Sequence, residues 1–181
     1  ALSVAVRQCP ECERSTEERT CPDDGMPTVL LELPALDPRH LEAGQVVAER
    51  WRVRHALGRG AHGTVYEVEH TLTRHVRALK VLARHSADGR ATRRFFFEAR
   101  ALGRLSHAHV VRVDDFGQDD SGLVYLLMER LDGATLRTLV EQRGALEPSV
   151  ALAIVRDVLE ALEAAHAQGI VHRDLKPENV F

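Results

Sequence analysis

The chain has 181 residues, 44% of them hydrophobic, which is enough for one full domain with a packed core and a small second one. Its formal charge of −3 gives no electrostatic case for nucleic acid. No apolar run approaches membrane-spanning length, since TVLLEL and LVYLLM are both far too short, and ALSVAVRQ is no signal peptide.

The first residue is Ala rather than Met, and the chain is expected to be a piece of a longer one. Its three cysteines all lie at or before Cys21. An odd count does not suit a secreted disulfide framework, and points to a reducing, cytoplasmic setting. Residues 1–28 are polar, rich in Cys and Pro, and too short to bury a core unaided. Within them CPECERSTEERTCPDDG sets Cys9-x-x-Cys12 before Cys21-x-x-Asp24. The two C-P-x-x turns resemble the paired knuckles of a zinc ribbon, in which tetrahedral zinc organises a segment that has no core of its own. By that resemblance Cys9, Cys12, Cys21 and Asp24 are the zinc ligands. Asp24 stands where a fourth Cys is usual, and Glu13 where the first knuckle usually has Gly. The alternative is three reduced cysteines in a disordered tail. Nothing nearby supplies a general base, so a catalytic zinc is not expected.

Residues 29–45 carry two prolines and no sustained period, and read as a linker. From Trp51 the pattern changes. WRVRHALGRG and GTVYEVEH alternate like two strands joined by a glycine-rich turn, and HVRALKVL gives a third. ATRRFFFEARALGRL reads as a helix, VVRVDDFG and LVYLLMER as strands, and ATLRTLVEQRG as a short helix. PSVALAIVRDVLEALEAAHAQG is a long helix opened by Pro148 and closed by Gly169. Its residues Val150, Ile154, Val158 and Leu162, flanked by Ala151, Val155 and Leu159, form a broad apolar stripe. The order implies a sheet-rich lobe followed by a helical one.

LGRGAHGTVY carries G-x-G-x-x-G at Gly58, Gly60 and Gly63. A dinucleotide fingerprint would open a helix after the third glycine, and a Walker loop would continue with Lys and Ser or Thr. Here an alternating, β-branched strand follows instead. Strand, glycine loop, strand is the arrangement of the flap that covers ATP phosphates in protein kinases. His62 stands at its tip. In HVRALKVL, alternation puts Val76, Ala78, Lys80 and Leu82 on one face, so the Lys80 ammonium has apolar neighbours and needs an anionic partner. In the following helix Phe95, Glu98, Leu102 and Leu105 share a three-four stripe, which sets the Glu98 carboxylate in apolar company. The two residues complement each other, although Lys80 could snorkel and Glu98 lie at a helix edge.

HRDLKPEN, His172 to Asn179, fits the kinase catalytic loop H-R-D-L-x-x-x-N at every fixed position. On these motifs the chain resembles the bacterial Ser/Thr protein kinases of eukaryotic-like (Hanks) type over residues 46–181. The resemblance implies an α+β, bilobal kinase fold, with an antiparallel sheet and one helix in the N-lobe and an incomplete helical C-lobe. The zinc-ribbon-like segment would precede it. It further implies that Lys80 pairs with Glu98 and holds the α/β-phosphates, that Asp174 accepts the hydroxyl proton, and that Asn179 holds Mg²⁺. Lys176 would neutralise the transferring phosphate. Leu57, Val65 and Ala78 would roof the adenine, Met128 would be the gatekeeper, and the backbones of Glu129 and Leu131 would meet the base. DLKPEN favours Ser/Thr over Tyr as acceptor. Lys80 and Lys176 are also the only two lysines among 24 Lys and Arg residues, so the motifs select both.

DDFG at Asp114–Gly117 precedes Asp174, whereas the magnesium-binding D-F-G of kinases follows the catalytic loop. It is read as a strand ending in a turn, with Gly117 supplying the bend. The parent protein is thus expected to use ATP and Mg²⁺ on protein Ser/Thr hydroxyls, the piece ending at Phe181 being inactive by itself. The rivals are a non-catalytic pseudokinase or scaffold that binds partners through its ribbon and N-lobe, and a small-molecule kinase of the same fold.

Overall fold

Trp51 begins the regular structure that the alternation implies. The computed structural model describes residues 6–30, 41–60, 63–82 and 90–181, for 90–93 the backbone alone. His62 and most of the segment read as linker lie outside the described residues. Chain contacts separate two units, residues 1–103 with 113–130, and residues 104–112 with 131–181.

The first unit holds two antiparallel sheets. The smaller one joins β1 (Arg7–Gln8), β2 (Ser15–Thr16) and β3 (Val29–Leu30) in the order β2-β1-β3, which carries the cysteine module two residues into the segment read as linker. The larger one has six strands, β4 (Val46–Val47), β5 (Trp51–Gly60), β6 (Gly63–His70), β7 (Val76–Leu82), β8 (Val113–Gln118) and β9 (Val124–Met128). Their order is β4-β5-β6-β7-β9-β8. Helix α1 (Arg90–Arg104) lies between β7 and β8 in the chain.

Period-two alternation divides the larger sheet into two faces. One face forms a core from Trp51, Val53, Tyr66, Val68, Leu79, Val81, Tyr125 and Leu127. The Tyr66 hydroxyl accepts a hydrogen bond from the Leu41 N–H at 3.1 Å, which fastens the chain entering the sheet to its centre. On the other face Val124 and Leu126 share an apolar cluster with Phe95, Phe96 and Ala99 of α1 and with Cys9, Cys21, Met26 and Val29 of the small module. The module is therefore packed against the sheet-rich unit.

DDFG lies inside β8 and does not end it. Gly117 has no left-handed backbone and makes no bend; a Cβ there would stand 3.3 Å from the Tyr125 hydroxyl. The turn falls later, at Asp119–Gly122, where the Asp119 carboxylate accepts from the N–H groups of Ser121 and Leu123, each at 3.0 Å.

In the second unit α2 (Leu136–Arg143) is capped by the Thr135 hydroxyl, which accepts from the Thr138 N–H at 3.2 Å, and it closes at Gly144 with φ 75°. Helix α3 (Pro148–His166) begins at its proline, and Gly169 follows in left-handed conformation. Of its apolar stripe, Ile154, Val158 and Leu162 are half-buried, while Val150, Val155 and Leu159 are exposed. No helix among the described residues is long and apolar enough to cross a membrane.

Candidate functional site

Residues singled out in the sheet-rich unit meet through strand register. Gly60 pairs with Gly63 where the β5–β6 hairpin turns. One row across the sheet runs from Gly58 to Val65, Lys80 and Leu126; the next sets Ala78 between Glu67 and Met128. Directly paired residues share a face, so Val65, Ala78, Lys80 and Met128 lie together on the face away from the Tyr66 core. Ala78 is buried, and Val65, Lys80 and Met128 are half-buried. Leu57 is exposed, and β5 has a register shift beside it, between Ala56 and Gly58. Glu129 and Leu131 follow the end of β9 and are half-buried.

Glu98 departs from the expected stripe. The buried side of α1 is formed by Phe95, Phe96 and Ala99, with Leu105 buried just past the helix end, whereas Glu98 is exposed and Leu102 is half-buried. Among the described residues no ion pair joins Lys80 to Glu98. The physical reason is what the helix packs on. Phe95, Phe96 and Ala99 share one apolar cluster with Val124 and Leu126 of the sheet and with Cys9, Cys21, Met26 and Val29 of the module, and the Phe96 ring lies 5.9 Å from that of Phe116, which leaves the Glu98 side outside the cluster.

A second acidic group on the Lys80 face was not foreseen. Glu67, 7% exposed, takes hydrogen bonds from Arg54 at 3.2 Å and from Arg130, just past β9, at 2.7 Å. Burial pushes its carboxyl up, but the hydrogen bonds from Arg130 and Arg54 outweigh that and hold it below the ordinary range. The signal was available in TVYEVEH, where Glu67 falls on the same side as Val65 by the alternation that singled out Lys80.

In the second unit the singled-out residues other than Leu131 lie in one short, exposed loop. Arg173 has φ 61°, a left-handed turn that brings the Asp174 N–H to 2.8 Å from the His172 carbonyl. Residues Pro177–Asn179 then make a single 3-10 turn. This folding brackets the Asp174 carboxylate. The Lys176 Nζ stands 2.8 Å from its Oδ2, and the Asn179 amide nitrogen donates to the same oxygen at 3.3 Å and to the Asp174 carbonyl at 2.8 Å. Lys176, above all, holds the Asp174 carboxyl below its usual range, and Asp174 in return raises the Lys176 ammonium. Asn179 Oδ1 accepts no hydrogen bond among the described residues, which leaves a hard oxygen of the kind Mg²⁺ takes.

The two knuckles of the cysteine module fold alike. The Glu13 N–H donates to the Cys9 carbonyl at 3.1 Å, and the Gly25 N–H to the Cys21 carbonyl at 3.0 Å, with φ 64° at Glu13 and 70° at Gly25. Their side chains converge: Cys12 Sγ is 3.5 Å from Cys21 Sγ, and Cys9 Sγ is 3.2 Å from an Asp24 oxygen. One ligand atom from each of Cys9, Cys12, Cys21 and Asp24 lies within 4.8 Å of the others. Three sulfurs and one carboxylate oxygen at such separations fit a tetrahedral cation. Burial pushes the Cys9 thiol up to about 12, and the Met26 N–H holds the Asp24 carboxyl at about 2.

Asp114 and Asp115 have partners inside the sheet-rich unit. Asp114 pairs with Arg77 at 2.5 Å, and Asp115 with Arg50 at 3.3 Å and the Tyr125 hydroxyl at 3.4 Å.

Comparison with known proteins agrees with these motifs. The chain is 44% identical over 126 residues to the serine/threonine-protein kinase PknD of Mycobacterium tuberculosis, covering 69% of this chain and 19% of that protein. It is 40% identical over 132 residues to PknH of Mycobacterium bovis, covering 72% and 22%. The chain thus spans about a fifth of the length of these curated relatives. The crystal structure of the Mycobacterium tuberculosis PknI kinase domain superposes with TM-score 0.67 at 36% identity, covering 78% of this chain and 59% of that one. Residues 51–181 match the family described as protein kinase domain, and the chain belongs to that family.

Proposed function

We propose that the protein carrying this chain is a serine/threonine protein kinase that transfers the γ-phosphate of ATP to hydroxyls of protein substrates in bacterial signalling. The observation that carries the reading is the Asp174 carboxylate bracketed by Lys176 and Asn179 within one turn. Phosphoryl transfer asks little covalent work of a protein; it asks for position and for neutralised charge. Asp174, kept ionised by Lys176, orients the acceptor hydroxyl and takes its proton. Lys176 is close enough to Asp174 to stand beside the transferring phosphate. The backbone around Gly58, Gly60 and Gly63 covers the phosphates, Lys80 contacts their oxygens, and Val65, Ala78, Met128 and Leu57 offer apolar surface to the base, with backbone groups of Glu129 and Leu131 at its edge. Asn179 would hold Mg²⁺, which when bound supplies charge neutralisation on the phosphates. Cys9, Cys12, Cys21 and Asp24 would hold a structural zinc. A cytoplasmic setting suits three free thiols.

The test is Mg²⁺-dependent phosphotransfer from γ-labelled ATP by the full-length protein, compared with Asp174→Asn. Loss of a positioned base should cost about a hundredfold or more. Equal rates would remove Asp174 from its role. No transfer by the unmodified protein, with ATP still bound, would favour a non-catalytic binding module.

A further inference from the structure

The cysteine module is joined to α1 and to the larger sheet by both apolar and polar contacts. Its buried residues Cys9, Cys21, Met26 and Val29 share one apolar cluster with Phe95, Phe96 and Ala99 of α1. The Arg100 guanidinium pairs with the Glu11 carboxylate, and its second nitrogen donates to the Asp24 carbonyl at 3.3 Å. At the other end Arg19 pairs with Asp120 at 2.7 Å, and the Leu30 N–H donates to the Gln118 side chain at 2.6 Å. Glu11 lies between Cys9 and Cys12, and Asp24 is itself one of the four converging residues. The groups that grip α1 are therefore part of the knuckles a cation would organise.

We propose that residues 6–30 form a cation-organised clasp on helix α1, and that the gripped clasp restrains the helix with Glu98 turned to solvent, away from Lys80. The inference rests on the kinase reading and on the reading of Cys9, Cys12, Cys21 and Asp24 as ligands of a zinc-class cation. Its physical content is a competition for one helix. Phe95, Phe96 and Ala99 are buried while the clasp holds them, and Glu98 is exposed in that arrangement. Bringing Glu98 to Lys80 by a turn or shift of α1 disturbs the Arg100 contacts and the cluster that Phe95, Phe96 and Ala99 share with Met26 and Val29. Without a cation, the two knuckles rest on hydrogen bonds such as those from the Glu13 and Gly25 N–H groups and from Arg14 to Asp23, and the four converging side chains lose the centre that ties one knuckle to the other. Their apolar contribution then comes from a segment too short to fold alone. Removal of the cation loosens the grip, and α1 gains access to the arrangement in which Glu98 pairs with Lys80.

The test uses the full-length protein and Zn²⁺ as the probe, with three readouts: bound Zn²⁺ per chain, hydrogen exchange of the amides of residues 95–100, and the phosphotransfer rate. The unmodified protein should bind one Zn²⁺ per chain. Chelation by a zinc-selective chelator, with Mg²⁺ kept in excess, should speed exchange in residues 95–100 by about tenfold or more and raise the phosphotransfer rate. Glu11→Gln keeps all four ligands and should keep the Zn²⁺, while weakening a half-exposed pair enough to speed exchange by about two- to fivefold. That variant separates the grip from folding of the knuckles, which Cys12→Ser could abolish. Absence of bound Zn²⁺ overturns the cation as organiser. Bound Zn²⁺ with exchange of residues 95–100 indifferent to chelation overturns the clasp and leaves the metal site standing. A phosphotransfer rate that falls on chelation or in Glu11→Gln overturns the restraint. If no variant transfers phosphate, the kinase reading fails, and the exchange readout alone still decides whether the clasp grips.

Discussion

The Lys176 ammonium stands 2.8 Å from the Asp174 carboxylate, two residues away across a loop that Arg173 enters in left-handed conformation. The pair favours the ionised form of both side chains. With Lys176 as the main cause, Asp174 titrates below its ordinary value of 3.8. Lys176→Met should therefore move the Asp174 titration upward, read by carboxyl-carbon NMR, and lower kcat while leaving ATP binding largely intact. An unmoved titration would show that the ammonium does not govern the carboxylate.

Glu67 couples the sheet to the segment after β9 through Arg130. Its folded pKa is depressed, so its contribution to stability is complete above the unfolded value near 4.5 and is lost as pH falls through the folded one. Glu67→Gln should lower stability at neutral pH by about 1–3 kcal/mol, because Arg54 and Arg130 lose a charged acceptor. It should also flatten the dependence of stability on pH below 4.5. Thermal unfolding from pH 7 to pH 3 checks both effects, and parallel curves for the two proteins would contradict the linkage.

Much of this architecture could be read in advance from local rules. The strands from Trp51 to Leu82 followed from alternation, α2 from the stretch ATLRTLVEQRG, and α3 from Pro148 and Gly169, each of which acts within a turn of its own position. The order of residues in HRDLKPEN named its own loop. Helix α1 was legible as a helix but not in its rotation, because RRFFFEARAL supports more than one apolar face. The face that became buried is the one that meets Val124, Leu126 and Phe116 of the sheet together with Met26, Val29 and the two buried cysteines, all distant from it in sequence. Gly117 was misplaced for a related reason. Its place within a strand is set by the Tyr125 ring on the neighbouring strand, a contact no local turn rule can anticipate.

The decoy D-F-G makes a sharp discrimination possible. Asp115 is held by Arg50 and Tyr125 inside the sheet-rich unit, and the Tyr125 hydroxyl is pushed up to about 12 by burial and by the Asp115 charge. Asp115→Asn should leave the Mg²⁺ concentration dependence of phosphotransfer unchanged, and should lower the Tyr125 pKa, followed by its absorbance on alkaline titration. A weakened Mg²⁺ dependence would mean that the Asp115 carboxylate serves the metal after all.

Glu13 offers the last test, because it carries a left-handed backbone that Gly25 adopts at the matching place in the other knuckle. With φ 64° a side chain at Glu13 costs roughly 1–2 kcal/mol, part of which glycine gives back as lost chain freedom. Two of the knuckle's contacts come from the backbone there: the Glu13 N–H bonds the Cys9 carbonyl, and its carbonyl accepts from the Gln8 amide at 3.1 Å. Glu13→Gly keeps these two backbone hydrogen bonds, relieves the strain and gives up the carboxylate; with the strain the larger of the two, it should stabilise the module by up to about 1 kcal/mol and tighten Zn²⁺ binding by about two- to fivefold. Competition with a chromophoric chelator measures this directly. Weaker binding by the glycine variant would mean that the Glu13 side chain contributes more to the knuckle than its backbone strain costs.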